Sequence, residues 1–175
     1  MMKKRKILLI CSLFIFLICS TENNYALGGD VRNQKIEKRV IELINEVRAK
    51  GIKCGNKYYK ATTPVVWNEK LGKASLHHSL DMAQKGFLGH RGSDGSSTEE
   101  RLSKVGYKWI VYGENVGEGY QTPGEMVSGW LKSTSHCKNI MNPDFKEAGA
   151  AYIKGSVKNY WTLILASPEV KYEIK

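Results

Sequence analysis

Two late apolar runs set the tightest limit on the architecture. "EAGAAYI" (147–153) and "NYWTLILAS" (159–167) are joined by the short polar link "KGSVK". Apolar runs of this length, split by a turn, predict two strands paired as a hairpin. A third strand is predicted in "YKWIVYGENVGEGY" (107–120), where aromatic and β-branched residues alternate with others. Helical periods precede and separate these strands. Ile36, Val40, Leu43, Ile44 and Val47 recur at helical spacing between Lys35 and Lys50, after a polar stretch broken by Gly28 and Gly29. A second helix over 68–85 is capped by Asn68 and carries the stripe Leu71, Ala74, His78, Met82. "STEERLSKVGY" predicts a short helix capped by Ser97 or Thr98 and stopped at Gly106. "TPGEMVSGWLKS" predicts another, opened by Thr122 and Pro123. "CGNKYYKATTP" and the glycine-rich "GFLGHRGSDGSS" read as loops. Helices before and between three strands give an α+β domain with an antiparallel sheet.

The N-terminus points to export. Lys3, Lys4, Arg5 and Lys6 precede the 12-residue apolar run "ILLICSLFIFLI" (7–18). Such a run is short of the roughly 20 residues a membrane-spanning helix needs, but it fits the core of a secretory signal. Two processing routes stay open: cleavage after Ala26 (signal 1–26), or lipidation of Cys19 behind a leader of residues 1–18. A short linker, 27–35, leads into the domain. The formal charge is +10, and it falls to +7 once the leader's four bases and Glu22 are removed. That excess favours anionic surfaces, such as envelope polymers, lipid headgroups or host glycans. The basic residues are scattered, with no stripe of interleaved aromatics, so nucleic acid is not an expected partner. Neither a transmembrane span nor an oligomer is expected.

With Cys11 and Cys19 in the leader, the mature chain keeps Cys54 and Cys137, 83 positions apart. In an oxidising compartment these read as a disulfide, whose long loop could contribute about 4 kcal/mol in the chain-entropy model. No CxxC spacing accompanies them, which argues against zinc held by this pair.

The candidate chemistry rests on polar residues in apolar settings. Ile110, Tyr112 and Glu114 alternate onto one face of the predicted strand, and a carboxylate on a covered face must be paired or hydrogen-bonded. His90 and His136, each in a predicted loop flanked by small residues, are its natural partners. His78, on the apolar stripe, reads as a hydrogen-bonded core residue, and His77 as solvated. A Cys–His protease would need a free Cys137, and Ser133 or Ser135 lacks a nucleophile-elbow sequence.

"HHSLDMA", "GHRGSDGSS", "GENVGEGY", "HCKNIMNPDFKEAGAAY" behind Trp130, and "YWTLILA" stand in an order that resembles the CAP, or SCP, domain. That family comprises cysteine-rich secretory proteins, antigen 5 and pathogenesis-related proteins, and the likeness is closer to its bacterial single-domain branch. It covers residues 36–168 and leaves a tail, 169–175. It implies a three-layer α-β-α sandwich with a central three-stranded antiparallel sheet. It also implies a cleft built from His90, Glu114 and His136, with Trp130, Ser133 and Asn115 as neighbours. Ser133 stands where eukaryotic members often carry a second glutamate. The likeness further supports pairing of Cys54 with Cys137. Two imidazoles and one carboxylate with a water would suit a weakly bound zinc ion, although no cofactor is required. The implied function is an exported, non-enzymatic domain binding a lipid, a sterol-like ligand, or an envelope or host surface component. A metal-dependent hydrolase using the same cleft, and an adhesion module for anionic glycans, are the alternatives.

Overall fold

The computed structural model describes residues 26–169. Residues 1–25 of the predicted leader, with the expected lipidation at Cys19, and the tail beyond Glu169 therefore lie outside the described residues. In chain order the first elements are α1 (Ala26–Lys50), β1 (Ile52–Cys54), β2 (Lys57–Tyr59), β3 (Val66–Trp67), α2 (Glu69–Lys85) and α3 (Thr98–Lys104). There follow β4 (Trp109–Glu118), α4 (Pro123–Lys132), α5 (Thr134–Met141), β5 (Glu147–Lys154) and β6 (Asn159–Pro168).

β6 is the centre of the molecule. It pairs antiparallel with β5 on one side and with β4 on the other, with Glu114 opposite Ile164 and Ala148 opposite Leu165. Every residue from Asn159 to Ser167 is buried. Trp161, Leu163 and Leu165 meet α1, α4 and α5 through Ile44, Val127 and Ile140. Ile164 and Ala166 meet α2 and α3 through Leu71, Ala74 and Leu102. A strand covered on both faces has no polar side to show, which is why "YWTLILA" is apolar apart from Thr162, whose hydroxyl accepts from Ser79 Oγ at 2.8 Å. Each fully buried leucine or isoleucine in it contributes about 1.5–3 kcal/mol. The result is the expected α-β-α sandwich.

Local chemistry fixes the helix ends. The Asn68 side chain accepts from the backbone of Lys70 and Leu71, and Gly86 closes α2 in the left-handed region at φ 69°. Capping boxes open α3 (Ser97 with Glu100) and α4 (Thr122 with Glu125), the latter with proline in its first turn. α2 lies directly on β5. A Cβ at Gly149 would stand 2.1 Å from the Gly72 nitrogen, and Ser75 Oγ donates to the Gly149 carbonyl across the same contact at 3.0 Å.

Several elements differ from the sequence pattern. The sheet carries a fourth strand, β3, parallel to β5 at its outer edge; two residues leave no alternation to read. The segment predicted as loop after Gly51 folds into the β1–β2 hairpin. α1 starts at Ala26 and runs through Gly28 and Gly29, so these glycines do not break it and the 27–35 linker is helical. Glycine costs about 1 kcal/mol in a helix but does not forbid one. An irregularity between Trp109 and Val111 turns Ile110 away from Tyr112 and Glu114, and it is 68% exposed. α5 carries His136 on a helix rather than a loop, with Ser133 ending α4 and opening α5.

Two long-range ties hold the α4–α5 side. The Cys54–Cys137 disulfide joins β1 to α5 with the Cα atoms 5.6 Å apart. Arg48, fully buried near the end of α1, donates to the carbonyls of Thr63 (2.8 Å), Ile140 (2.7 Å), Asn142 (2.9 Å) and Phe145 (3.2 Å). Its guanidinium thereby satisfies the C-terminal end of α5 and the turn that follows.

Candidate functional site

β4 is the edge strand opposite β3, and its alternation sends Glu114 and Asn115 to opposite faces. Glu114 turns toward α2 and α3 with its side chain only 3% exposed. A carboxylate there must be partnered, and it is. Oε2 accepts from Arg101 Nη2 at 2.8 Å, Oε1 accepts from His90 Nδ1 at 2.9 Å, and His78 Nε2 stands 3.9 Å from Oε1. Burial alone would push the Glu114 carboxyl up. The His90 hydrogen bond and the Arg101 charge outweigh it and hold the group below the usual carboxylate range.

The histidines divide by environment. His90 lies in the loop between α2 and α3 with a 58% exposed side chain, and its hydrogen bond to Glu114 raises its pKa. His78 is buried; Nε2 donates to the Gly89 carbonyl at 2.7 Å, and burial lowers its pKa. His78 is thus the hydrogen-bonded core residue its stripe predicts, and His77 is exposed. His136 is half-buried on α5, its pKa lowered first by burial and then by the nearby His90.

The three predicted cleft residues are therefore not equivalent. His90 and Glu114 are in contact, whereas the His136 side chain makes no hydrogen bond or ion pair with Glu114 among the described residues. It is coupled to His90 by charge, and its backbone is held from the other face, where Asn115 Nδ2 donates to the His136 carbonyl at 3.1 Å. Asn139 closes that contact by donating to Asn115 Oδ1 at 2.9 Å. Ser133 sits at the α4–α5 junction with its hydroxyl 3.2 Å from that of Ser135. Trp130 is a core residue rather than a cleft neighbour: it is 1% exposed, and its indole donates to the Val116 carbonyl at 3.0 Å.

The residue that sequence reasoning misses is Arg101. From one guanidinium it reaches Glu114, the His90 carbonyl (2.9 Å), the Ser96 carbonyl (3.0 Å) and Thr98 Oγ1 (3.1 Å). It positions the carboxylate and the His90 backbone together.

A model of the cysteine-rich secretory protein (CAP) family matches residues 41–165. The chain belongs to the CAP family. The Bacillus subtilis protein YkwD is 34% identical over 128 residues, covering 72% of this chain and 45% of that protein. The CAP chain spans less than half the length of the curated relatives it matches. Among solved structures, an extracellular SCP-domain protein from Bacillus anthracis superposes with a TM-score of 0.66 at 19% identity, covering 77% of this chain and 41% of that one. A cysteine-rich secretory protein from Staphylococcus aureus gives 0.59 at 20% identity, covering 77% and 39%. At these identities the structural likeness carries the fold alone.

The CAP cleft as arranged here does not fit a zinc ligand set. Among the described residues no group of three or more His, Cys, Asp or Glu side chains is placed to hold a metal ion. At Glu114 a metal cation would face the Arg101 guanidinium, 2.8 Å from Oε2, on a carboxylate only 3% exposed. No helix of the described residues is long and apolar enough to cross a membrane.

Proposed function

We propose that this CAP domain acts outside the cytoplasm as a non-catalytic binding domain for a lipid with an apolar tail. The state of Glu114 carries the non-catalytic part. A general base must offer an oxygen within hydrogen-bond reach of substrate, but this one is buried with each oxygen bonded to a fixed cation or imidazole. Its role is to tie α3, the His90 loop and β4 together.

Support for the ligand class comes from the other end of the sheet. Val66 is 66% and Ile110 is 68% exposed, and with Val111 and Pro168 they form the apolar side of a hollow of about 610 Å³ whose other side carries Asp144, Lys146, Glu147 and Ser167. Exposed β-branched residues gathered around one hollow mark a binding surface, and the volume lies in the range of small-molecule sites. The secretory leader predicted at residues 1–26 supports export, as does the resemblance to an extracellular SCP-domain protein. Mature protein dialysed against tritiated palmitate should retain label saturably. Ile110→Lys should reduce retention about tenfold or more, since it removes the most exposed apolar side chain of the hollow and adds a charge to a lining that already carries Lys146. His90→Ala should leave retention unchanged. Failure to retain palmitate, a lysophospholipid or cholesterol would refute the reading, as would retention indifferent to Ile110→Lys.

A further inference from the structure

The charge of the mature chain is not spread evenly. Between Glu46 and Glu69 no acidic residue interrupts Arg48, Lys50, Lys53, Lys57 and Lys60, and between Glu125 and Asp144 none offsets Lys132 and Lys138. Those seven bases equal the whole +7 excess left after the leader is removed, so the remainder of the mature chain sums to zero. One acid-free stretch alone would be a local accident of sequence, but the Cys54–Cys137 disulfide clamps the two together.

The clamp builds a cationic hollow. The β1–β2 hairpin turns at Gly55, in the left-handed region at φ 60°. That turn lies directly on the start of α5, since a Cβ at Gly55 would stand 2.7 Å from Thr134 Oγ1. Thr134 and Lys138, four residues apart, share one face of α5. Lys57 stands opposite Cys54 in the hairpin and so shares the face that carries the disulfide. Lys57, Lys138, Asn56 and Thr134 line a hollow of about 530 Å³ between the two elements, with no acidic residue in its lining among the described residues. It shares no residue with the hollow at Val66 and Ile110. All six lysines of the two stretches are exposed, and none forms an ion pair among the described residues. The Lys57 ammonium lies 5.2 Å from the centre of the Tyr59 ring, a contact that orients it without cancelling its charge. Arg48, buried behind them, meets carbonyls rather than carboxylates and adds to the same positive field.

These features specify a partner. Uncompensated charge gathered on one side of an otherwise neutral chain attracts anions. Lys53, opposite Tyr58, projects from the other face of the hairpin than Lys57 does. A flat bilayer cannot touch both faces of a two-stranded ribbon at once, whereas a flexible chain passes around its edge and enters the hollow. The six exposed bases are all lysines. An ammonium is a point charge that takes a tetrahedral phosphate oxygen from any direction, while a planar carboxylate favours the arginine fork.

We propose that this side of the domain binds a linear phosphodiester polymer, with Lys57 and Lys138 holding phosphates in the hollow between the hairpin and α5. The test follows the fluorescence anisotropy of fluorescein-labelled poly(glycerol phosphate) titrated with mature protein at about 50 mM and about 500 mM sodium chloride. Binding should saturate at the lower salt and be about tenfold weaker or more at the higher, where exposed charges are screened within a few ångströms. Lys57→Gln/Lys138→Gln should weaken binding about tenfold, the loss of two exposed ion pairs near the upper end of their range. Lys73→Gln/Lys85→Gln removes the same charge from exposed positions on α2 and should bind like wild type. All four side chains are exposed, so both double variants should keep the wild-type thermal transition. The proposal is overturned if poly(glycerol phosphate) does not bind saturably, or if its binding ignores salt. Equal losses in the two double variants would overturn it too, reducing the effect to net charge. Tighter binding to phosphatidylglycerol vesicles, or to chondroitin sulfate at equal charge, would overturn it and assign this side to a bilayer or a sulfated glycan.

Discussion

Replacing Arg101 with methionine removes four hydrogen bonds and leaves Glu114, 3% exposed, without its counter-charge. Breaking a buried ion pair from one side costs about 3–5 kcal/mol, because the remaining charge stays desolvated. In a domain of this size that corresponds to a melting temperature lower by roughly 10 °C. Much of the loss belongs to Glu114, so Glu114→Gln in the Arg101→Met background should return part of it. A double-mutant cycle by guanidinium denaturation at pH 7, followed by tryptophan fluorescence, should give a coupling of about 1.5–3 kcal/mol. The pH dependence has a definite sign. A carboxylate held below its usual range stabilises the fold above its unfolded pKa, about 4.3, and that contribution is lost as pH falls through the folded value. In Arg101→Met this acid-linked part should shrink, so the two proteins should converge in stability toward pH 3. A coupling under about 0.5 kcal/mol at pH 7, or a constant gap between the two proteins from pH 7 to pH 3, would refute the account of Arg101 as the partner that makes Glu114 tolerable.

Arg48→Met should cost about 3 kcal/mol, since it strands carbonyls at the end of α5. Because its partners are carbonyls rather than carboxylates, calorimetry should find the same loss at pH 5 and pH 8. Proton NMR titration should place the His90 pKa above, and the His136 pKa below, that of free histidine. Glu114→Gln should bring His90 down and His90→Ala should bring His136 up. Stability linked to His90 is full below its unfolded pKa near 6.5 and lost as pH rises through its folded value, so Glu114→Gln should flatten that limb. Gly149→Ala should prevent normal folding or cost more than about 3 kcal/mol, seen as a lost or greatly lowered thermal transition, because backbone meets backbone there and cannot give way.

What could be read from sequence was whatever local chemistry decides. The caps at Asn68, Ser97 and Thr122 act within one turn of the residues they serve, and the apolar run from Tyr160 to Ala166 declares a doubly covered strand. Glu114 stood out because a carboxylate interrupts an apolar alternation. The hidden features were those settled by distant partners. Arg101 looks like one more charge on a short solvated helix until β4 supplies its acceptor. β3 exists only because β5 lies alongside it. α5 did carry a helical signal, since Cys137, Ile140 and Met141 are spaced by three and four and all are buried. The adjacent histidine and cysteine drew the reading toward chemistry instead.

The bridge from Cys54 to Cys137 encloses the exposed glycine-rich stretch at Arg91–Gly95. A protease that cut the backbone once in that stretch would leave two pieces still covalently tethered, one ending and the other beginning beside His90. Such a nicked molecule would migrate as a single species on a gel until a thiol reagent separated its halves.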